Sequence, residues 1–174
     1  MESIIRWGFI GCGEATEKKS GPAFAVVKGS EVVAVMGRDK EKTRNYAKRH
    51  NIRHCYTDAQ ALIDDPEVNA VYIATPPSSH ATFAIMAMKA GKPVYVEKPL
   101  AASYEDCARI NRISRETGVP CFVADFSSAV VVSGATVVSG GATVVAGASV
   151  SATRGVAKGN LTVLSLQYSS LMVE

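Results

Sequence analysis

Residues 70–74 read AVYIA, and a strand of that composition has no face to give to water. Such a strand is stable only inside a sheet covered on both sides, the situation of parallel sheets whose crossovers are helices. Related apolar runs recur at residues 4–10, 31–36 (EVVAVM), 94–96 and 120–124, with a weaker one at 54–56. Helical segments lie between them. Residues 40–50 are charged with Tyr46 and Ala47 interleaved, the pattern of an exposed amphipathic helix. A first helix is expected from Gly21 and Pro22, with Phe24, Ala25 and Val27 inward. Thr57 with Gln60 reads as a capping box, and residues 81–89 read as a helix. Ser103 with Asp106 caps another, ending near Gly118. Strand and helix in alternation predict an α/β fold: a doubly wound parallel sheet with right-handed crossovers, a Rossmann fold. Ligands of such sheets bind outside the carboxyl ends of the strands.

The alternation stops near residue 125. Residues 1–125 are read as one domain and residues 126–174 as a low-complexity tail. From 127 to 152 the chain contains only Ser, Ala, Val, Gly and Thr, and GATVV occurs twice. No charge falls between Asp125 and Arg154, so no solvated helix face can form there. The tail reads as β-prone or disordered, with residues 160–166 (NLTVLSL) as one candidate strand. The net charge of +3 is too small to argue for nucleic acid or a membrane surface as partner. No signal peptide and no spanning segment are expected, and the four scattered cysteines suit reduced thiols. Together these predict a cytoplasmic protein with a small-molecule substrate; a homo-oligomer is left open.

The chemistry concentrates at the predicted strand ends. Directly after the first strand comes GCGEAT: Gly11, Cys12, Gly13, Glu14, Ala15 and Thr16. Two glycines let the backbone turn tightly and a pyrophosphate approach the main chain. The polar run that follows lacks an apolar face, so the helix is expected to start late. The second strand ends at Gly37 and Arg38, where an NAD site usually places a carboxylate. Gly37 leaves room for a 2′-phosphate and Arg38 can pair with it, so NADP is preferred; Asp39 keeps NAD open. Thr75, Pro76 and Pro77 break the fourth strand, and either end it or line a cofactor. His80 stands at the next helix start, as a ligand to the cofactor or as part of the helix cap. The fifth strand ends in Glu97, Lys98 and Pro99, an ion pair followed by a stiffened turn.

TPPSSH at 75–80 and EKP at 97–99, with the glycine turn and GVPCFVA at 118–124, resemble the nucleotide-binding domain of the Gfo/Idh/MocA oxidoreductases. The resemblance covers roughly residues 4 to 124. It implies hydride transfer between a nicotinamide cofactor, NADP or NAD, and a sugar, polyol or related small carbonyl. It implies that residues 11–16 hold the pyrophosphate and that Arg38 selects the adenosine ribose. The TPP turn and His80 would line the cofactor. Glu97 would face its ribose, and Lys98 would reach the nicotinamide and the substrate oxygen as the catalytic residue. Pro99 would follow a cis peptide. A fixed ammonium there stabilises negative charge developing on a carbonyl oxygen.

Members of that family continue into a substrate domain carrying an Asp/His proton relay. Here no histidine follows His80 and Asp125 is the only aspartate after Asp106. The tail therefore reads as a cut-off start of that domain, or as a stretch unlike the native protein. Two functions are carried forward: a sugar or polyol oxidoreductase, and a dinucleotide-binding module or half-enzyme without turnover.

Overall fold

The computed structural model describes residues 4–124 and, beyond them, short paired segments at 144–145, 150–151 and 167–168. The expected strand at 160–166 and most of the tail lie outside the described residues. Six parallel strands form the sheet: β1 (Ile5–Ile10), β2 (Ser30–Met36), β3 (His54–Tyr56), β4 (Ala70–Ile73), β5 (Val94–Glu97) and β6 (Cys121–Ala124). Their order is β3-β2-β1-β4-β5-β6, with Val144–Val145 added antiparallel at the β6 edge. This is the doubly wound arrangement the alternation predicts. The strand order reverses between β1 and β4, so the ligand crevice is expected at their carboxyl ends.

The strand residues explain why both faces must be covered. Val71 and Ile73 of β4, with Val94 and Val96 of β5, enter an aliphatic core. That core is closed by α3 (Ala59–Asp64), α4 (His80–Lys89) and α5 (Tyr104–Thr117), through Leu62, Met88 and Ile110. The alternate residues Tyr72 and Tyr95 face the other way, into an aromatic core with Trp7 and Phe9. There α1 (Gly21–Val26) and α2 (Lys40–Arg49) supply Phe24 and Tyr46. Trp7 meets Phe24 edge-on at 4.8 Å and Phe9 meets it at 5.2 Å. Such pairs add about 0.5–1.5 kcal/mol beyond their area burial.

The helix ends follow local chemistry, with two departures from the sequence reading. Ser103 accepts from the Asp106 amide, and Gly118 closes α5 in the left-handed conformation, both as expected. The cap of α3 is Asp58, whose carboxylate accepts from the Ala61 amide, and not Thr57. The chain reaches an extended conformation one residue later than the Thr57–Gln60 spacing assumed, and aspartate caps as well as threonine. In α1 Gly21 and Phe24 are buried; Ala25 is exposed, and Val27 lies half-buried just past the helix as its C-cap.

Candidate functional site

Four strand tips meet at the carboxyl edge of the sheet. They carry Gly11 after β1, Gly37 after β2, Thr75 after β4 and Glu97 at the end of β5. Gly11 has φ +112°, and a Cβ there would lie 2.5 Å from the Ala74 carbonyl oxygen on the neighbouring β4 segment. Its amide donates to the Met36 carbonyl, so this one residue ties β1 to both flanking strands. Gly13 differs: it is exposed, its φ is not left-handed, and a Cβ would meet nothing within 4 Å. The space over Gly13 is open to an incoming group.

After Gly13 the chain makes a π-helical turn, Ala15–Lys19, before α1 begins at Gly21. The late helix start is therefore found. Glu14 is exposed, within 4.0 Å of Lys18, and Ala15 is half-buried. Thr16 is fully buried, and its hydroxyl donates to the Gly13 carbonyl at 2.9 Å. Its side chain thus closes from inside the loop that was expected to hold the pyrophosphate. The Thr16 carbonyl accepts from the Tyr46 hydroxyl and stands 1.7 Å from where a Gly21 Cβ would sit. Gly21, read from the sequence only as the start of a helix, is also a close-approach glycine.

Gly37 needs correction. A Cβ there would meet Thr43 Oγ1 at 2.4 Å and Cys12 Sγ at 2.5 Å. The room beside Gly37 is taken by those two side chains, so its glycine serves packing and not a 2′-phosphate. Arg38 is exposed and makes no ion pair among the described residues. Asp39 caps α2, accepting from the Lys42 amide at 3.0 Å. Its carboxylate is thereby turned to the helix, away from the free role a ribose diol requires.

Thr75 Oγ1 accepts from Ser79, and Pro77–Ser79 forms a short 3₁₀ turn behind the exposed Pro76. His80 is buried at the start of α4. Its Nδ1 lies 2.9 Å from the Pro99 carbonyl and its Nε2 lies 2.7 Å from the Thr75 carbonyl. Both nitrogens are occupied by backbone, so the ring braces the TPP turn against the EKP turn and has none left for a cofactor. These contacts support the structural one of its two readings. Lys98 and Pro99 are exposed, and the Lys98–Pro99 peptide is cis.

Glu97 is held from behind by residues that sequence reading missed. Tyr72 donates to Glu97 Oε1 at 2.5 Å, and Ser20 Oγ lies 3.1 Å from the same oxygen. Ser20 and Tyr72 also touch each other through their hydroxyls. Burial, and then the neighbouring Glu97 carboxylate, push the Tyr72 phenol far above its ordinary value, so it remains a donor. The fold supplies the link: Tyr72 pairs in register with Tyr95, two residues before Glu97, and residues two apart share a face.

Comparison with known proteins agrees with this geometry. Residues 5–125 match the model of the GFO_IDH_MocA oxidoreductase family, NAD-binding Rossmann fold, and the chain belongs to that family. Oxidoreductase P35 of Formosa agariphila is 44% identical over 126 residues, covering 72% of this chain and 39% of the relative. Inositol 2-dehydrogenase of Acidothermus cellulolyticus is 34% identical over 114 residues, 66% of this chain and 33% of the relative. The 3-ketoreductase KijD10 of Actinomadura kijaniata, solved with NADP and TDP-benzene, superposes with a TM-score of 0.67 at 29% identity. That match covers 72% of this chain and 38% of the other. The chain thus spans about two-fifths or less of the length of the relatives it matches. Among the described residues no helix is long and apolar enough to cross a membrane.

Proposed function

We propose that residues 4–124 form the dinucleotide-binding domain of an NAD(P)-dependent oxidoreductase. It serves hydride transfer between nicotinamide and a sugar, polyol or related small carbonyl. The observation that carries this reading is the convergence of the glycine turn, Arg38, the TPP turn and Glu97–Lys98 on one edge of the sheet, at its topological switch. The site fits a dinucleotide: Gly13 leaves its backbone open, and Arg38 projects from the β2 tip without an ion pair among the described residues. Gly11 and Gly13 would hold the pyrophosphate, Arg38 a 2′-phosphate, and the Thr75–Pro77 turn and Glu97 the nicotinamide half. When bound, the cofactor supplies the hydride.

The chain's own groups divide the remaining work. Lys98 offers a positive charge at the exposed tip of β5, where a substrate oxygen gains negative charge. Glu97 orients that tip. NADP is favoured over NAD because Arg38 is available and Asp39 is committed to the helix cap. The relatives' names, an inositol dehydrogenase and a 3-ketoreductase, support the sugar or polyol class. A second reading, a dinucleotide-binding half-enzyme that needs residues from elsewhere for turnover, rests on the share of the relatives that the chain matches.

Fluorescence titration of the 174-residue chain with NADPH and NADH tests the binding. Saturable NADPH binding tighter than NADH is expected, and absence of binding to either refutes the proposal. Cofactor oxidation against a panel of sugars and polyols then separates the enzyme from the half-enzyme.

A further inference from the structure

We infer that Tyr72, together with Ser20, is a positioning residue for Glu97, and that this buried trio couples the phosphate turn to the EKP turn. The inference concerns the chain's own side chains, and its consequence for the cofactor rests on the function proposed above. Tyr72 is fully buried, edge-on to Phe9 at 5.0 Å and tilted against Phe24 at 4.8 Å, so its ring is confined on both sides. Phenylalanine would pack there equally well. A hydroxyl inside an aromatic core costs desolvation unless it makes a hydrogen bond. Glu97 is only half-buried and could turn to water. The stability of the core alone therefore gives no reason for this hydroxyl to meet this carboxylate.

Ser20 supplies the second arm. It is 2% exposed, its amide is bonded to the Ala15 carbonyl, and the next residue, Gly21, is pressed against the Thr16 carbonyl. Ser20 cannot retreat without moving the turn that follows Gly13. Two hydroxyls from different elements, β4 and the residue before α1, thus gather at Oε1 of one carboxylate, Tyr72 donating to it and Ser20 donating to Tyr72. A carboxylate held by a buried donor that is itself hydrogen-bonded has a restricted rotamer, and its charge strengthens the bond it accepts. Displacement of residues 13–20 on cofactor binding would be felt directly at Glu97, the neighbour of Lys98.

The test uses the 174-residue chain with Tyr72→Phe, Glu97→Gln and the double variant. Without cofactor, hydrogen exchange is followed at residues 15–20 and 97–98. Tyr72→Phe is expected to speed exchange several-fold at both segments while cooperative thermal unfolding persists. Unchanged exchange at either segment overturns the inference. With NADPH as probe, Tyr72→Phe should weaken binding about three- to tenfold, the scale of one ordinary hydrogen bond. The double variant should lose no more than Glu97→Gln alone. A role confined to packing predicts instead that the two losses multiply, which overturns the inference. If the wild-type chain binds no dinucleotide, the proposed function fails, and the exchange measurement alone decides the positioning role.

Discussion

Replacing the two turn glycines one at a time separates what the fold needs from what the ligand needs. At Gly11 an added methyl meets two penalties. The φ of +112° is disfavoured for an L-residue, at roughly 1–2 kcal/mol. The Cβ would also lie 2.5 Å from the Ala74 carbonyl oxygen, a backbone atom that cannot swing aside. Overpacking of that kind costs about 1–3 kcal/mol. Gly11→Ala should therefore destabilise the domain by about 2–5 kcal/mol, a large share of the roughly 5–15 kcal/mol of a typical domain. At Gly13 neither penalty exists, since φ is not left-handed and nothing lies within 4 Å. Gly13→Val should change stability by less than about 1 kcal/mol, the scale of surface substitutions. It should nonetheless abolish dinucleotide binding, because the isopropyl group fills the space that a pyrophosphate needs. Urea unfolding of both variants, with and without NADPH, reads both quantities. A Gly11→Ala variant as stable as wild type would refute the close-approach argument. A Gly13→Val variant that binds NADPH normally would remove the turn from the cofactor site.

Three further outcomes are expected. Arg38→Ala should weaken NADP binding by about 1.5–3 kcal/mol, the range of a hydrogen bond to a charged group, and NAD binding less; titration of both cofactors decides, and equal losses contradict the NADP preference. Asp65 is buried, which by itself would raise its pKa; hydrogen bonds from His54, the Glu67 amide and Tyr56 outweigh this and hold the carboxyl below its ordinary 3.8. A depressed carboxylate stabilises the folded state above its unfolded value, so this contribution is lost as pH falls below about 4. Asp65→Asn should cost about 1–3 kcal/mol near neutral pH and flatten the acid limb of the stability profile, as urea melts between pH 2 and pH 7 would show. Cys121 is fully buried and burial pushes its thiol up to about 12, whereas Cys55 is exposed. A thiol reagent followed by peptide mass mapping should label Cys55 first and Cys121 only on unfolding.

The architecture was legible because its signal is redundant. The central strands are apolar on both faces, and AVYIA or VYV admits no other environment than a covered parallel sheet. The motif positions were legible for a related reason: in such a sheet the polar, glycine and proline residues that interrupt apolar runs fall at the strand ends. What was not legible is where individual side chains turn. Thr16, Gly37 and His80 carry the residue types of a cofactor site, yet the contacts they make in the folded chain direct them inward. Thr16 meets Gly13 and Tyr46, Gly37 meets Cys12 and Thr43, and His80 meets Thr75 and Pro99. The reverse error hid Tyr72 and Ser20. A tyrosine in an apolar strand reads as core, and only the register of β4 on β5 shows that its hydroxyl reaches Glu97.

The polar groups at the two edges of the sheet are spent differently, which bears on where the function lies. Near the amino ends, Arg53 bridges Glu31 and Glu67, Arg6 binds the Glu67 carbonyl, and Lys92 binds the Asp65 carbonyl. The Asp65 carboxylate in turn takes His54, Tyr56 and the Glu67 amide. Every group in that set answers another within it, as a network that closes strand and loop ends must. At the carboxyl ends the internal bonds go to shaping backbone. Asp39 caps α2, His80 joins two turns, and Thr16 closes the glycine loop. What these braces leave exposed there is the open space over Gly13, the Arg38 guanidinium and the Lys98 tip. Energy invested in holding such groups outward adds nothing to the core, since exposed charges contribute little to folding. It does prepare a surface for an anionic ligand, because the braces spare that ligand the cost of ordering the turns when it binds.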